Sequence, residues 1–380
     1  MGWLENEVED DAIIVSSATR TKAHESRTEK TVRKRNPYPK SAMNLLADGR
    51  RDANIAAMHD PTMPVACLQV LDPETLADAV KHANFSACQL SARPAPSMIA
   101  RVLCPRVRLE FAGLGPAMLF TGVMPRDCFT LVFVLDCPSE GHSFNFAARH
   151  TAGYMGFFPP GGALDAFTPE GYANATLTVP EATFHAAVER HFPNIPAQFL
   201  KQGAGMRIGL AEQTQLRWVL SQVLAGIRDP AAPLTSLLAR QEVEHQLLEV
   251  FLAGLRQGCG GLVPPPTQRT AGRLRRLRQG RDFIAERARQ PIQLDDLCSE
   301  LNLSRRGVEV LFRDSLGLGP TAFLRHQRLH GIRRALREAA PAPGVVKQLA
   351  LEWGFWHLGH FANDYRRLFG EKPSQTLASG

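Results

Sequence analysis

Two stretches near the end of the chain gather side chains that can meet an anion along one helical face. Read at helical period, RRGVEVLFRDSLG (305–317) turns Val308, Leu311 and Phe312 inward and leaves Arg305, Arg306, Glu309 and Arg313 outside. HLGHFANDYRRLFG (357–370) repeats the arrangement. Leu358, Phe361, Tyr365 and Leu368 form its inner stripe, and Gly359, His360, Asn363, Arg366 and Arg367 its outer one. Guanidinium groups are planar, permanently charged donors that match phosphate geometry, and Asn and His add directional hydrogen bonds. Such faces suit non-covalent recognition of a polyanion.

The elements that must position these faces are legible in the flanking residues. LDDLCSEL (294–301) is a short helix with Leu294, Leu297 and Leu301 on one side and Asp295 and Asp296 in its first turn, where the helix dipole favours negative charge. Asn302-Leu303 makes a tight turn, Ser304 caps the next helix, and Gly317 ends it. VVKQLALEWGF (345–355), closed by Gly354, precedes the second stretch in the same way. A short helix, a tight turn and a second helix with an exposed Arg-rich face is a helix-turn-helix pattern, and it occurs twice. Between the two units, Pro320 opens a long helix, TAFLRHQRLHGIRRALREA (321–339). At 1.5 Å per residue it is about 25–28 Å long. Successive major grooves on one face of B-DNA are about 34 Å apart, so with packing offsets one chain can address two adjacent grooves without dimerising.

Charge follows the same division. Residues 1–60 carry 10 Lys/Arg and 10 Asp/Glu, residues 61–260 carry 14 and 16, and residues 261–380 carry 20 and 11. The last third therefore holds more than the whole net charge of +7, and 18 of its cations are Arg. A basic module beside a near-neutral one is the footprint of polyanion binding, although a solvated surface and a GC-rich genome also favour Arg.

The 380 residues suggest about two or three domains, and 44% apolar with 21% charged residues excludes collagen-like, disordered or disulfide-scaffold classes. No apolar stretch approaches about 18 residues, so no membrane partner is expected. The acidic start MGWLENEVEDD does not read as a secretory signal. The seven cysteines are odd in number and none forms C-x-x-C, which fits reduced thiols in a cytoplasmic protein.

Residues 1–60 read as a disordered tail, with ESRTEKTVRKRNPYPK (25–40) charged and proline-ended. Residues 61–200 read as a β-rich domain. CFTLVFVLDC (128–137), SFNFAARH (143–150) and ANATLTVP (173–180) are strand-like between Gly/Pro turns, with a helix ETLADAVKHA (74–83) before them. EATFHAAVERHF (181–192) reads as a helix. Residues 201–257 read as a helical connector built on 214–227 and 236–255, the latter with a long apolar stripe that serves either as core or as a dimer surface. GAGMRIG (203–209) reads as a turn, and GCGGLVPPPTQRT opens a linker over 258–272. The last domain is 273–380.

The stretch from about 275 to 378 resembles the DNA-binding domain of the AraC/XylS family of bacterial transcription regulators. The likeness rests on LDDLCSELNLSRRGVEVLFRDSLGLGPTAFLRHQRLHGIRRAL and on VVKQLALEWGFWHLGHFANDYRRLFGEKPSQTL. YMGFFPPGGALDAFTPEGYANATLTV is similar, more loosely, to the subgroup containing the ethanolamine-operon regulator. The resemblance implies an α+β chain: a cupin-like β-rich sensor, a helical connector and an all-α domain with two helix-turn-helix units. By position it implies base contacts from Arg306, Glu309 and Val310 and phosphate contacts from Arg305 and Arg313. In the second unit the base-facing positions are Leu358, Gly359, His360 and Asn363, with Leu358 weighted as core. Gly307 departs from the pattern, because glycine weakens a helix interior. The implied partners are promoter DNA, a small-molecule effector, RNA polymerase and a second copy of the chain. The expected function is sequence-specific regulation, with activation the commoner outcome. The sequence offers no H-x-H, P-loop, nucleophile elbow or H-E-x-x-H, so no cofactor, metal site or enzyme activity is expected. A fused enzyme domain and a nonspecific nucleoid protein are the alternatives.

Overall fold

The computed structural model describes Ala56, Met58, Asp60, Leu76 and residues 62–70, 84–91, 94–146, 148–228, 233–260 and 267–379. The expected tail, the 74–83 helix and the triple proline lie outside the described residues, apart from Ala56, Met58, Asp60 and Leu76. Met58 is a correction to the tail boundary: it is buried beside Leu68, Ile99 and Phe120, and the Arg101 guanidinium donates to its carbonyl.

Twelve strands are described: β1 (Val65–Val70), β2 (Asn84–Gln89), β3 (Ser97–Leu103), β4 (Arg108–Leu114), β5 (Met118–Val123), β6 (Cys128–Asp136), β7 (Gly141–Ser143), β8 (Ala148–His150), β9 (Tyr154–Phe158), β10 (Ala163–Thr168), β11 (Tyr172–Pro180) and β12 (Ala204–Arg207). They form two antiparallel sheets, one of seven strands in the order β1-β3-β4-β11-β6-β9-β12 and one of five in the order β2-β5-β10-β7-β8. β6 shows why alternation is muted here. Its Phe129, Leu131 and Phe133 face a helical layer, while Thr130, Val132 and Val134 face the other sheet. A strand buried on both faces reads as one apolar run.

The helical layer is α1 (Glu181–His191), α2 (Ala197–Gln202), α3 (Leu210–Arg228) and α4 (Leu237–Gly260). Leu216, Leu220, Leu247, Phe251 and Leu255 from α3 and α4 are buried against the seven-stranded sheet. The 201–257 segment expected as a connector is therefore continuous with the β core. Its GAGMRIG, expected as a turn, supplies β12, whose register runs Ala204 to Phe157 and Arg207 to Tyr154. Only pairing with β9 reveals a four-residue, glycine-containing edge strand. Leu237 and Leu238, counted in the α4 stripe, stand exposed at its start. SFNFAARH is not one strand either. It splits into β7 and β8 around a turn whose Phe144 amide donates to the Asp165 carbonyl at 2.7 Å.

The remaining helices are α5 (Gln268–Glu286), α6 (Leu294–Leu301), α7 (Arg305–Leu316), α8 (Pro320–Glu338), α9 (Val345–Glu352), α10 (Leu358–Phe369) and α11 (Pro373–Ser379). α5 starts five residues before position 273, because Thr267 caps it by accepting from the Thr270 amide at 3.2 Å. With α4 reaching Gly260, the expected 258–272 linker is helical at both ends. α8 serves two cores. Phe323 packs with Leu311 and Phe312, whereas Leu329, Ile332 and Leu336 pack with Phe361, Tyr365 and Leu368. Trp353 lies so close over Gly331 of α8 that a Cβ there would meet its ring at 2.0 Å, so only glycine fits. α11 adds a feature absent from the sequence expectation: Thr376 is buried and shares a 2.7 Å hydrogen bond with the Tyr365 hydroxyl.

Candidate functional site

The first helix-turn-helix is α6, a turn and α7. Asn302 closes α6 in the left-handed region at φ 49°, and Ser304 accepts from the Gly307 amide at 3.1 Å to start α7. A Cβ on residue 307 would stand 3.3 Å from the capping oxygen, a tight contact that a shift of a few tenths of an ångström would relieve. Val308, Leu311, Phe312 and Leu316 are buried, and Gly317 at φ 74° ends the helix. Arg305, Arg306, Val310 and Arg313 face solvent, and Glu309 is half-buried. Arg305 is engaged twice by Asp295, Nε to Oδ1 at 2.7 Å and Nη2 to Oδ2 at 2.5 Å. This contact holds the Asp295 carboxyl below its ordinary range and raises the Arg305 guanidinium. Arg313 donates to Glu309 at 3.2 Å. Arg306 has no ion-pair partner among the described residues, so its fork of donors is free.

The second unit is α9, a turn through Gly354 at φ +79°, and α10. Phe361, Tyr365, Leu368 and Phe369 are buried, while Gly359, His360, Asn363, Arg366 and Arg367 are exposed. Arg366 and Arg367 are also without ion-pair partners among the described residues. The one carboxylate on α10, Asp364, is taken by Arg325 at 3.3 Å. Leu358, weighted as core, is a correction: it is 36% exposed at the first position of α10, because the inner stripe begins a turn later at Phe361. Trp356, just before it, is exposed as well, and the sequence reading passed over it.

A second feature lies between the two sheets. A cavity of about 160 Å³ is walled by Phe85, Phe120, Val134, Phe158, Leu164 and Ala166, among others. Its polar lining gathers at one end, where the register sets Arg108 and Glu110 of β4 beside Thr178 and Thr176 of β11, with Thr130 of β6 opposite Thr178. Burial raises the Glu110 carboxyl, and Arg108 and Arg101 oppose that shift. The Thr130 hydroxyl and His150 Nε2 are buried without a hydrogen-bond partner among the described residues. Burial pushes His150 down to about 4. Groups left so are costly unless something else meets them. Among the described residues no group of three His, Cys, Asp or Glu side chains is placed to hold a metal ion, and none of the helices is long and apolar enough to cross a membrane.

The five-stranded sheet is a wall shared by the cavity and the helix-turn-helix units. On β10, Leu164, Ala166 and Thr168 line the cavity, while Asp165 and Phe167 point the opposite way. Asp165 Oδ1 meets Arg281 Nη2 of α5 at 2.8 Å, and Oδ2 meets Arg278 Nε at 3.3 Å. Phe167, Leu119, Leu90 and Phe144 join the core of the first unit. On the second unit, Gln89 Nε2 donates to the Leu368 carbonyl at 2.9 Å, and His330 Nε2 lies 3.2 Å from the Gln89 carbonyl.

The geometry agrees with comparisons to known proteins. A family model described as a helix-turn-helix domain matches residues 297–379. The probable thc operon regulatory protein of Rhodococcus erythropolis is 35% identical over 96 residues, which are 25% of this chain and 29% of that one. A XylDLEGF operon transcriptional activator of Pseudomonas putida is 37% identical over 95 residues, 25% of this chain and 30% of its own. The chain thus spans under a third of the length of these curated relatives. A solved probable AraC family transcriptional regulator from Rhodopseudomonas palustris is 39% identical, covers 28% of this chain and 96% of its own, and superposes with a TM-score of 0.26. Over residues 297–379 the chain thus carries a helix-turn-helix domain, similar to the corresponding segments of these operon regulators.

Proposed function

We propose that the protein is a sequence-specific DNA-binding transcription regulator, an activator, whose β domain senses a small molecule. The observation that carries this reading is the pair of helices α7 and α10. Each closes a helix-turn-helix on its own buried core, and together they hold Arg306, Arg366 and Arg367 exposed and unpaired among the described residues. Arg306, Glu309, Val310, His360 and Asn363 are the base readers in this proposal. Arg can hold guanine two-pronged, Glu can accept from cytosine and Asn can hold adenine. Arg305, Arg313, Arg366 and Arg367 hold phosphates, so affinity falls with salt. The domains are 61–257 for sensing, with helices built into its core, and 273–380 for DNA. The sensing domain is cupin-like and grouped with the ethanolamine-operon regulator. RNA polymerase and a second copy of the chain are its further partners, and it acts in the cytoplasm at the nucleoid.

The cavity is the effector site in this reading. The two-faced β10 is the route outward: a ligand against Leu164 and Ala166 moves the strand that carries Asp165 onto Arg281. Genome-wide occupancy mapping tests the function. Discrete peaks upstream of genes are expected, and uniform coverage would replace the reading with nonspecific packaging. At the preferred site, Arg306→Ala weakens binding by about 1–3 kcal/mol, the worth of a good base contact. Titration of a fluorescent duplex measures it, and an unchanged affinity removes Arg306 from the readers. Gly359→Ala separates fold from function. A Cβ at 359 meets nothing within 4 Å, so thermal melting is expected to show a gain of about 0.4–1 kcal/mol in stability. The added methyl stands on the outer face of α10, so the same variant binds its site more weakly.

A further inference from the structure

Three large apolar side chains stand on the outer faces, and only Val310 among them has been given a role so far, as a base reader of unstated chemistry. Trp356 is 75% exposed, Val310 44% and Leu358 36%. Trp356 and Leu358 stand just before and at the start of α10, next to Gly359, where the space beside the backbone is open. Their polar neighbours are the exposed His357 and His360, and Arg366 and Arg367 lie further along α10, whose lone carboxylate is turned to Arg325. A patch with this charge meets an anionic partner. The start of a recognition helix is also the part that enters the major groove. There the apolar feature on base edges is the C5-methyl of thymine.

We propose that Trp356, Leu358 and Val310 are specificity residues that read thymine methyl groups, the first two through the second helix-turn-helix and Val310 through the first. This rests on the DNA-binding function proposed above and adds the base chemistry that the site selects. It also accounts for an exposed tryptophan at a helix start that no packing requires.

The experiment uses the full chain. Duplexes are enriched from a random library, and each thymine of the winning sequence is replaced in turn by deoxyuridine, which pairs identically and lacks only the methyl. At contacted positions the wild-type chain is expected to bind about fourfold more weakly per methyl removed. Trp356→Ala with Leu358→Ala abolishes the uridine penalty in one half of the site, and Val310→Ala abolishes it in the other. All three residues are exposed, so circular dichroism and melting of the variants are expected to match wild type. Uridine duplexes that bind as tightly as thymidine ones overturn the inference while leaving DNA binding intact, and so does a penalty that persists in the triple variant. Failure to enrich any duplex overturns the DNA-binding reading itself, and this inference with it.

Discussion

Asp165→Ala is expected to release the helix-turn-helix units from the β domain and to uncouple promoter output from effector. The residue is buried, as is Arg281, its partner at 2.8 Å, and Arg281 also lies 5.2 Å from the centre of the Phe144 ring. Removing one member of a buried pair leaves the other charge uncompensated and costs about 3–5 kcal/mol. Arg281 sits on α5, which belongs with the helix-turn-helix units, so moving α5 away can relieve the cost without unfolding either core. A penalty of that size shifts the balance between docked and released forms by roughly a hundredfold or more. Hydrogen exchange should then rise in α5 and β10 and stay protected in β6 and β11. Asp165→Leu with Arg281→Met, which replaces the pair by apolar groups, restores docking and removes the penalty. If Asp165→Ala lowered the melting point of the whole chain while α5 exchanged as in wild type, the contact would be ordinary core and the proposed route would fail.

What the sequence made legible follows from which patterns are local. Ser304, Gly317, Gly354 and Gly370 punctuate short helices at fixed offsets, so α7 and α10 were readable to within a residue or two. Their outer faces were readable because their inner stripes repeat at helical period. Leu358 was misread for the same reason, since an apolar residue in register with a stripe counts as core even where the helix start carries it past the packing surface. The β domain was legible only in class. β6 is buried on both faces, so its run of apolar residues hides which side chains line the cavity. β12 has four residues and no pattern of its own. Asp165 looks like any polar residue in a short strand, and its importance arises from Arg281, which belongs to a different domain. Coupling between distant segments leaves no periodic trace. The docking face and the cavity therefore had to come from the structure, whereas the exposed side chains of α7 and α10 did not.

Acid is expected to destabilise the protein well above the carboxylate range, through two histidines. His330 is buried between α8 and the β domain, facing the Gln89 carbonyl, His326, Arg333, Arg334 and the Phe369 ring, and burial chiefly pushes it down to about 3. His150 is buried against Tyr154 and Tyr172, with His142 nearby, and burial pushes it down to about 4. Both bind a proton in the unfolded chain near pH 6.5 and resist it when folded. The unfolded state then holds more protons, so stability is complete above about pH 6.5 and is lost as the pH falls toward the folded values. At pH 5 each histidine costs about 2 kcal/mol, or about 4 kcal/mol together. Glu110 works in the opposite sense, because burial raises its carboxyl and the folded chain takes that proton more readily. Denaturant melts between pH 7.5 and 5 measure the slope. His330→Gln keeps a donor for the Gln89 carbonyl and removes the titration, so it should remove about 2 kcal/mol of the loss at pH 5. Because His330 bridges α8 and β2, mild acid should also loosen docking before global unfolding, seen as exchange rising first at Gln89 and along α8. A slope that is the same in His330→Gln as in wild type would show that this histidine is not held neutral by its burial.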